Sequence, residues 1–251
     1  MNSFIGWIGG KNSLKKEIVS RFPENFGRYI EVFGGAAWIL FYKEKHADIE
    51  IYNDYNNDLV NLFRCVKFHR SELQRELSYV LNSREIFEDF KSQYNIRGLT
   101  DIQRAARFFM LLKTSYGSNR KNFGCVKKNI NSMIEYLEKI EERLSGVIIE
   151  NKDFEDLIGV YDRADAFLYL DPPYYGTEKY YQAQFSTEDH IRLCKVLKNI
   201  EGRFLLSYND CQYIREIYDG FNIEEIRRNH NLLNRYEGKD NTYCELLIKN
   251  Y

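Results

Sequence analysis

Along this chain, short apolar runs alternate with longer stretches in which apolar positions recur every three or four residues, the pattern of a strand followed by a helix that packs on it. The first run, Tyr29-Ile30-Glu31-Val32-Phe33, is closed by Gly34-Gly35-Ala36-Ala37, and the spacing beyond it predicts an amphipathic helix to about Lys45. Ile49 to Tyr52 predicts a second strand, ending in Asn53-Asp54. Val147 to Glu150, Ala166 to Leu170, Phe204 to Tyr208, Phe221 to Ile226 and Tyr243 to Lys249 predict the rest. Between the Ala166 and Phe204 strands, Ser186-Thr187-Glu188-Asp189 places an acid three residues after a serine, which marks a capped helix start. The alternation predicts an α/β fold: a doubly wound, mostly parallel sheet with helices on both faces. Asp54 follows Gly35 by nineteen positions. In nucleotide-binding folds of this type, an acid about 20 residues after the glycine turn takes ribose hydroxyls.

From residue 66 to 146 the alternation stops. The stretch is mainly helical in pattern, with Ile102 to Leu112 strongly apolar, and the division it implies is an α/β domain of residues 1–65 and 147–251 interrupted by a helical insert of residues 66–146. Within the insert, Lys113 to Lys128 carries Lys113, Arg120, Lys121, Lys127 and Lys128 and no acid. A charge run of this kind also suits a solvated basic face. Here Tyr116, Gly117, Asn119, Asn122, Phe123 and Gly124 interleave with the charges, and that mixture suits nucleic acid. Cations meet phosphates, amides meet base edges, and an aromatic ring can enter a base stack.

The overall charge of −1 would argue against such a partner, but an average says little about local clusters. With 251 residues, 44% of them hydrophobic, the chain can bury a full core. Its five cysteines form no CxxC pair and lie near no histidine at metal-ligand spacing, so reduced thiols and no metal site are expected. No apolar run reaches the roughly 18 residues of a membrane helix, and no signal-peptide pattern opens the sequence. A soluble intracellular protein without a membrane partner is expected.

Two segments carry candidate chemistry. Gly6-Trp7-Ile8-Gly9-Gly10-Lys11 invites comparison with a phosphate-binding loop, but Ile5 and Asn12 stand where that pattern needs glycine and Ser or Thr. Its glycines suit close backbone approach to a ligand, beside one aromatic wall and one cation. The second segment is Asp171-Pro172-Pro173-Tyr174, directly after the apolar run ending at Leu170. Asp and Pro also build ordinary turns. Two adjacent prolines, however, fix the backbone and leave the Pro172 carbonyl as an acceptor beside the Asp171 carboxylate and the Tyr174 ring. An amine conjugated to a heteroaromatic ring is a poor nucleophile until its two hydrogens are held aside, and two fixed acceptors do that. Adenine, cytosine amino groups and amides all meet this requirement, so the loop alone leaves the substrate open.

Taken in order, these motifs resemble the Dam-like, α-class adenine-specific DNA methyltransferases over nearly the whole chain. The matching segments are Trp7 to Lys11, Phe33-Gly34-Gly35-Ala36-Ala37, Asp54 after the second strand, the helical insert, Asp153-Phe154 and Asp171 to Tyr174. The resemblance implies a Rossmann-like methyltransferase fold with residues 66–146 as the target-recognition domain. It implies S-adenosylmethionine as methyl donor, with Trp7, Lys11, Glu31, Phe33, Gly34, Gly35, Asp54 and Asp171 in or around its pocket. Asp153 would accept from the cofactor's adenine amino group and Phe154 would lie near that ring. Asp171, Pro172 and Tyr174 would be catalytic. The expected substrate is a flipped adenine in double-stranded DNA. Lys113, Arg120, Lys121, Lys127 and Lys128 would bind phosphates, Ser118, Asn119, Arg120 and Asn122 would read bases, and Tyr116 would wedge into the stack.

The resemblance further implies a cytoplasmic monomer in a bacterial or phage-infected cell, with a cognate restriction endonuclease as a conceivable partner. Alternatives are an RNA or protein-amide methyltransferase, or a silent binding module of the same fold. A cytosine ring-carbon enzyme needs a nucleophilic cysteine after a proline, and no cysteine here follows one. One departure stands out: Ala37 replaces the last glycine of the cofactor turn and would add a methyl group near the cofactor.

Overall fold

A computed structural model describes residues 1–125, 129–177, 185–229 and 242–251. Its centre is a seven-stranded sheet of β1 (Arg28–Glu31), β2 (Ile49–Asn53), β3 (Val147–Glu150), β4 (Ala166–Leu170), β5 (Arg203–Asn209), β6 (Asn222–Asn229) and β7 (Thr242–Lys249). Across the sheet the order is β3-β2-β1-β4-β5-β7-β6. The first five strands run parallel, and β7 lies antiparallel between β5 and β6. Every strand expected from the apolar runs is present, and the antiparallel edge makes the sheet mostly parallel.

Strand alternation divides the core in two. Tyr29, Tyr52, Phe167, Tyr169, Leu205 and Leu247 face one cluster, while Ile30, Ile51, Leu168, Leu170, Phe204 and Leu206 face the other. The central strand β4 is buried at all five positions, which is why Ala-Phe-Leu-Tyr-Leu shows no polar face.

Ten helices surround the sheet among the described residues. They are α1 (Lys15–Val19), α2 (Asn57–Phe68), α3 (Arg70–Ser78), α4 (Arg84–Ser92), α5 (Asp101–Thr114), α6 (Ile130–Glu135), α7 (Leu137–Leu144), α8 (Phe154–Tyr161), α9 (Thr187–Leu197) and α10 (Gln212–Ile217). The start of α9 is the expected cap: the Ser186 amide donates to the Asp189 carboxylate at 2.8 Å. Helices α8, α9 and α10 cover one face of the sheet. The helical stretch 66–146 covers the other and shares its core, since Leu73, Phe108, Phe109 and Ile140 lie in the same cluster as Tyr29 and Phe167. Position 66 falls inside α2.

The helix expected up to Lys45 does not form. Only a 3-10 turn, Leu40–Tyr42, is present. The physical reason is competition for the carbonyls. The His46 ring bonds the Ile39 oxygen at 2.8 Å, and Arg143 donates to the Leu40 and Lys43 oxygens at 2.9 and 3.1 Å. The Ile39 oxygen still accepts from the Tyr42 amide at 3.0 Å, the bond of the 3-10 turn, while the Leu40 and Lys43 oxygens meet the Arg143 guanidinium. Ala36, Ala37, Ile39, Leu40 and Phe41 are all buried, so the segment threads the core rather than lying on it with one face.

Candidate active site

The sheet order reverses direction between β1 and β4, because the chain leaves β1 toward β2 and β3 and later returns to the other side. Doubly wound folds open a crevice at the carboxyl ends of the strands at such a point. Here the ends of β1, β2, β3 and β4 deliver Glu31 to Gly35, Asn53-Asp54, Lys152 to Phe154 and Asp171 into one cavity. Trp7, Gly9, Gly10 and Lys11 from the N-terminal segment close it, with Phe185, Asp189 and Arg192 from the α9 side. All the residues expected around the cofactor therefore line one space, though up to 164 positions separate Trp7 from Asp171 along the chain.

The glycine turn is fixed by its neighbours. The Asp54 carboxylate accepts from the Gly35 amide and the Asn56 amide, both at 2.8 Å, and the Tyr52 hydroxyl donates to the Gly35 oxygen at 2.7 Å. A methyl group on Gly34 would stand 2.2 Å from the Tyr52 ring, and one on Gly35 would stand 2.9 Å from Trp7. These glycines thus let the turn, β2 and the N-terminal segment pack together. Burial pushes the Asp54 carboxyl up, against the two amide donors that hold it down. Each oxygen keeps a free acceptor site, because a carboxylate offers about four.

Ala37 is fully buried with φ of 55° and does not line the cavity, although Ala36 does. Its methyl group is therefore not near a bound ligand, contrary to the expectation from the motif. Its cost is backbone strain, since a side chain disfavours the left-handed region.

Asn53 was expected only as a strand end, yet it organises the acidic residues on both sides. Its amide nitrogen donates to the Val32 and Lys152 oxygens at 2.9 and 3.2 Å, and its oxygen accepts from the Lys152 amide at 2.8 Å. Asp153 caps α8 through the Glu155 amide at 2.9 Å. Arg192 grips the same carboxylate with two bonds of 2.7 and 2.8 Å while its guanidinium lies 4.1 Å from the Phe154 ring centre. Burial would raise the Asp153 carboxyl, but the Arg192 fork and the Glu155 amide outweigh it and hold it below the usual range. Phe33, Phe154 and Phe185 make an aromatic wall with centroid separations of 5.8 to 6.0 Å. Arg192 carried no signal in the sequence beyond its place one turn after Asp189.

At the opposite side, Lys11 is 3% exposed and its ammonium donates to Asp171 Oδ1 at 2.6 Å and to the Gly9 oxygen at 3.2 Å. The same ammonium sits 4.8 Å from the centre of the Tyr174 ring. Asp171 and Pro173 line the cavity, both prolines are buried, and the half-buried Tyr174 ring packs 6.1 Å from that of Tyr208. Burial, reinforced by the charges of Asp171 and Glu245, drives the Tyr174 hydroxyl far above its usual range, so it stays protonated. Glu31 is 2% exposed at the cavity wall, accepts from the Tyr29 hydroxyl at 2.8 Å, and its carboxyl is pushed up to about 8, chiefly by burial.

The basic loop forms a compact turn after α5. Tyr116 N donates to the Asn122 oxygen at 2.8 Å and Gly124 N to the Thr114 oxygen at 2.7 Å, while Asn119 Oδ1 accepts from the Lys121 and Asn122 amides. Tyr116 is 66% exposed, and Lys121 and Asn122 are exposed beside it. Lys113 instead donates to the Phe4 oxygen at 3.0 Å beneath the loop. Ser118 and Arg120 line the cavity wall. Lys127 and Lys128 lie outside the described residues.

The donor set fits the cofactor that the sequence resemblance implies: an acidic group for a diol, a second for an exocyclic amine, an aromatic wall between them, and cations at both ends. Among the described residues, the only cluster of potential metal ligands is Asp210, Glu225 and Cys244, away from this cavity. Asp210 and Glu225 there both pair with Arg215.

Comparison with known proteins agrees with the geometry. A family model for D12 class N6 adenine-specific DNA methyltransferases matches residues 7–232. The chain is 27% identical to the type II methyltransferase M.MjaIII of Methanocaldococcus jannaschii, covering 99% of this chain and 98% of that protein. It is 27% identical to the type II methyltransferase M.CviBI of Paramecium bursaria Chlorella virus NC1A over the full length of both. It is 25% identical to the DNA adenine methylase of Haemophilus influenzae, covering 89% of this chain and 85% of that one.

Proposed function

The chain belongs to the D12 class of N6 adenine-specific DNA methyltransferases, and from that membership we propose how its residues divide the reaction. Membership makes the acceptor adenine in DNA rather than RNA or a protein amide, and makes the chain an enzyme rather than a silent module. S-adenosylmethionine is the donor, and when bound it supplies a methyl group on a sulfonium, an electrophile that needs no metal. Asp54 takes the ribose hydroxyls, Asp153 the adenine amino group of the cofactor, and Phe33 and Phe154 the apolar ring. Gly34 and Gly35 bring the backbone close. Trp7, Lys11 and Glu31 line the remaining space.

Asp171 and the Pro172 carbonyl accept the two hydrogens of the target amine. They draw the nitrogen toward a tetrahedral shape and aim its lone pair, and positioning of this kind can supply roughly 7 to 11 kcal/mol of a barrier. Lys11, at 2.6 Å, fixes the orientation of the Asp171 carboxylate. Tyr174 provides the aromatic face next to it. The target adenine is flipped out of the duplex, which costs a few kcal/mol of pairing and stacking, and exposed Tyr116 fills the gap. Lys121 meets phosphate, and Asn119 and Asn122 face base edges.

The observation that supports this reading is the convergence of Asp171 with the glycine turn, Asp54 and Asp153 in a single cavity at the sheet's switch point. Its test is Asp171→Ala. Methyl transfer to duplex DNA should fall on the order of a hundredfold or more, as when other fixed electrostatic contacts are removed, while DNA binding by gel shift survives. Wild-type turnover in this variant would refute the assignment. The type II names of the archaeal and viral relatives further suggest a modification enzyme paired with an endonuclease. DNA that it has methylated should then resist an endonuclease of the same target sequence, and continued cleavage would refute the pairing.

A further inference from the structure

Glu31 is 2% exposed in the cavity wall, where its carboxyl accepts from the Tyr29 hydroxyl at 2.8 Å. Its place in the sheet is midway between two groups already given a role. In the parallel register Glu31 pairs with Tyr52 on β2 and with Tyr169 on β4. Asp54, assigned to the ribose, lies two residues beyond Tyr52, and Asp171, assigned to the target amine, lies two beyond Tyr169. In the methyl donor, the sulfur joins the ribose side to the transferred methyl group. Neighbouring strands are only about 4.8 Å apart, so a donor that reaches from Asp54 to Asp171 carries its sulfur across the end of β1.

The charges around Glu31 leave it uncompensated. Lys11 pairs with Asp171 and Arg143 with Glu50, and among the described residues no cation pairs with Glu31. Tyr29, Tyr52 and Tyr169, on the three strands that meet here, are held neutral by burial. Asp171 adds a negative field and Arg143 a positive one. Taking an unpaired carboxylate out of water is costly, so the group keeps a proton instead, in line with its rise to about 8. A sulfonium reverses that balance, because an opposite charge within about 4 to 6 Å favours the ionised form. The thioether product brings no such charge.

We propose that Glu31 is the counter-charge of the donor's sulfonium: its carboxyl gives a proton to solvent as S-adenosylmethionine binds, and regains one when S-adenosylhomocysteine is left. One O–H bond breaks for each donor bound, the electron pair stays on Glu31, and the proton leaves with the buffer. The inference rests on the cofactor reading given above. Its consequence is selection by charge. Because donor binding releases a proton, the preference for donor over spent product should grow as pH rises from about 6 to about 8.

Calorimetry in two buffers of different ionisation enthalpy counts the protons released on binding and tests the proposal without turnover. At about pH 7 a group titrating at about 8 is roughly nine-tenths protonated. In the wild-type protein, S-adenosylmethionine should therefore release close to one proton more than S-adenosylhomocysteine. Glu31→Gln keeps the shape of the side chain and cannot ionise, so this difference should vanish and the preference for donor over product should narrow several-fold. The ligands' own amino groups titrate alike with both proteins, and the variant subtracts them. Equal proton release by the two ligands in the wild-type protein would overturn the proposal whether or not the variant folds. A difference that persists in Glu31→Gln would overturn it as well. If neither ligand binds the wild-type protein, the cofactor reading fails and takes the proposal with it.

Discussion

Glu31 shows how much a single side chain's surroundings decide. At the end of β1 it is buried at the cavity wall, bonded by the Tyr29 hydroxyl and the Leu40 amide and within the fields of Asp171 and Arg143, and burial dominates, pushing its carboxyl up to about 8. Between the ordinary carboxylate value and about 8, the folded chain keeps a proton that the unfolded chain has released, so stability falls as pH rises through that window. We expect urea midpoints to decline from about pH 5 to about pH 9 by an amount worth on the order of a few kcal/mol. Glu31→Gln should flatten that decline, and an equally steep one in the variant would assign the effect elsewhere. Ala37 makes the opposite case, a residue whose cost is its own backbone. At φ of 55° and fully buried, it should gain from Ala37→Gly, by about 0.5 to 1 kcal/mol once glycine's extra freedom in the unfolded chain is subtracted. A lowered thermal midpoint in that variant would show that the methyl group's packing outweighs the strain.

Among the elements, success and failure of local pattern have a common cause. Helix α9 begins where Ser186 and Asp189 predict, because a capping box satisfies its donors within four residues of chain. The segment from Ala36 to Lys45 has helical spacing, but donors from far away in sequence take its carbonyls. Arg143, on α7, is the chief of these. It binds the Leu40 and Lys43 oxygens and forks onto Glu50 at 2.7 and 2.8 Å, with both side chains less than a tenth exposed. Removing one member of a buried pair leaves the other uncompensated. Arg143→Met should therefore cost about 3 to 5 kcal/mol in chemical denaturation, and Glu50→Gln in the same chain should restore part of it. A loss below about 1 kcal/mol, the value of an exposed pair, would show that water reaches Glu50.

At the scale of the whole molecule, the helical stretch and the sheet share one core, and the loop after α5 reaches from the outer surface to the cavity wall. Tyr116 and Lys121 face outward on that loop while Arg120 faces the cavity. A ligand in the cavity would restrict the same turn that presents Tyr116 to DNA, because Ser118 and Arg120 of that turn line the cavity wall, and such coupling works equally in both directions. S-adenosylhomocysteine should therefore tighten binding of a labelled target duplex several-fold, measured by fluorescence anisotropy. If the cofactor product leaves DNA affinity unchanged in the wild-type protein, loop and cavity are energetically independent despite their contact.

The strands, the capped helix and the helical character of residues 66–146 were legible in the sequence, as were residues that the fold brings to one cavity. Each depends on residues close together in the chain: period-two burial, a glycine turn after a strand, a carboxylate at a strand end. Parallel strand order then sends every such end to the same side of the sheet, so separate motifs converge without being specified pair by pair. What local pattern could not carry were the contacts made by long side chains across the fold. Arg143 cancels a helix, Asn53 ties two strand ends together, Arg192 covers Phe154, and Arg120 turns inward while its neighbour Lys121 turns out. Arginine and lysine look alike in a charge run. Only tertiary packing, by setting which of them meets an aromatic ring, a buried carboxylate or water, gives each its task.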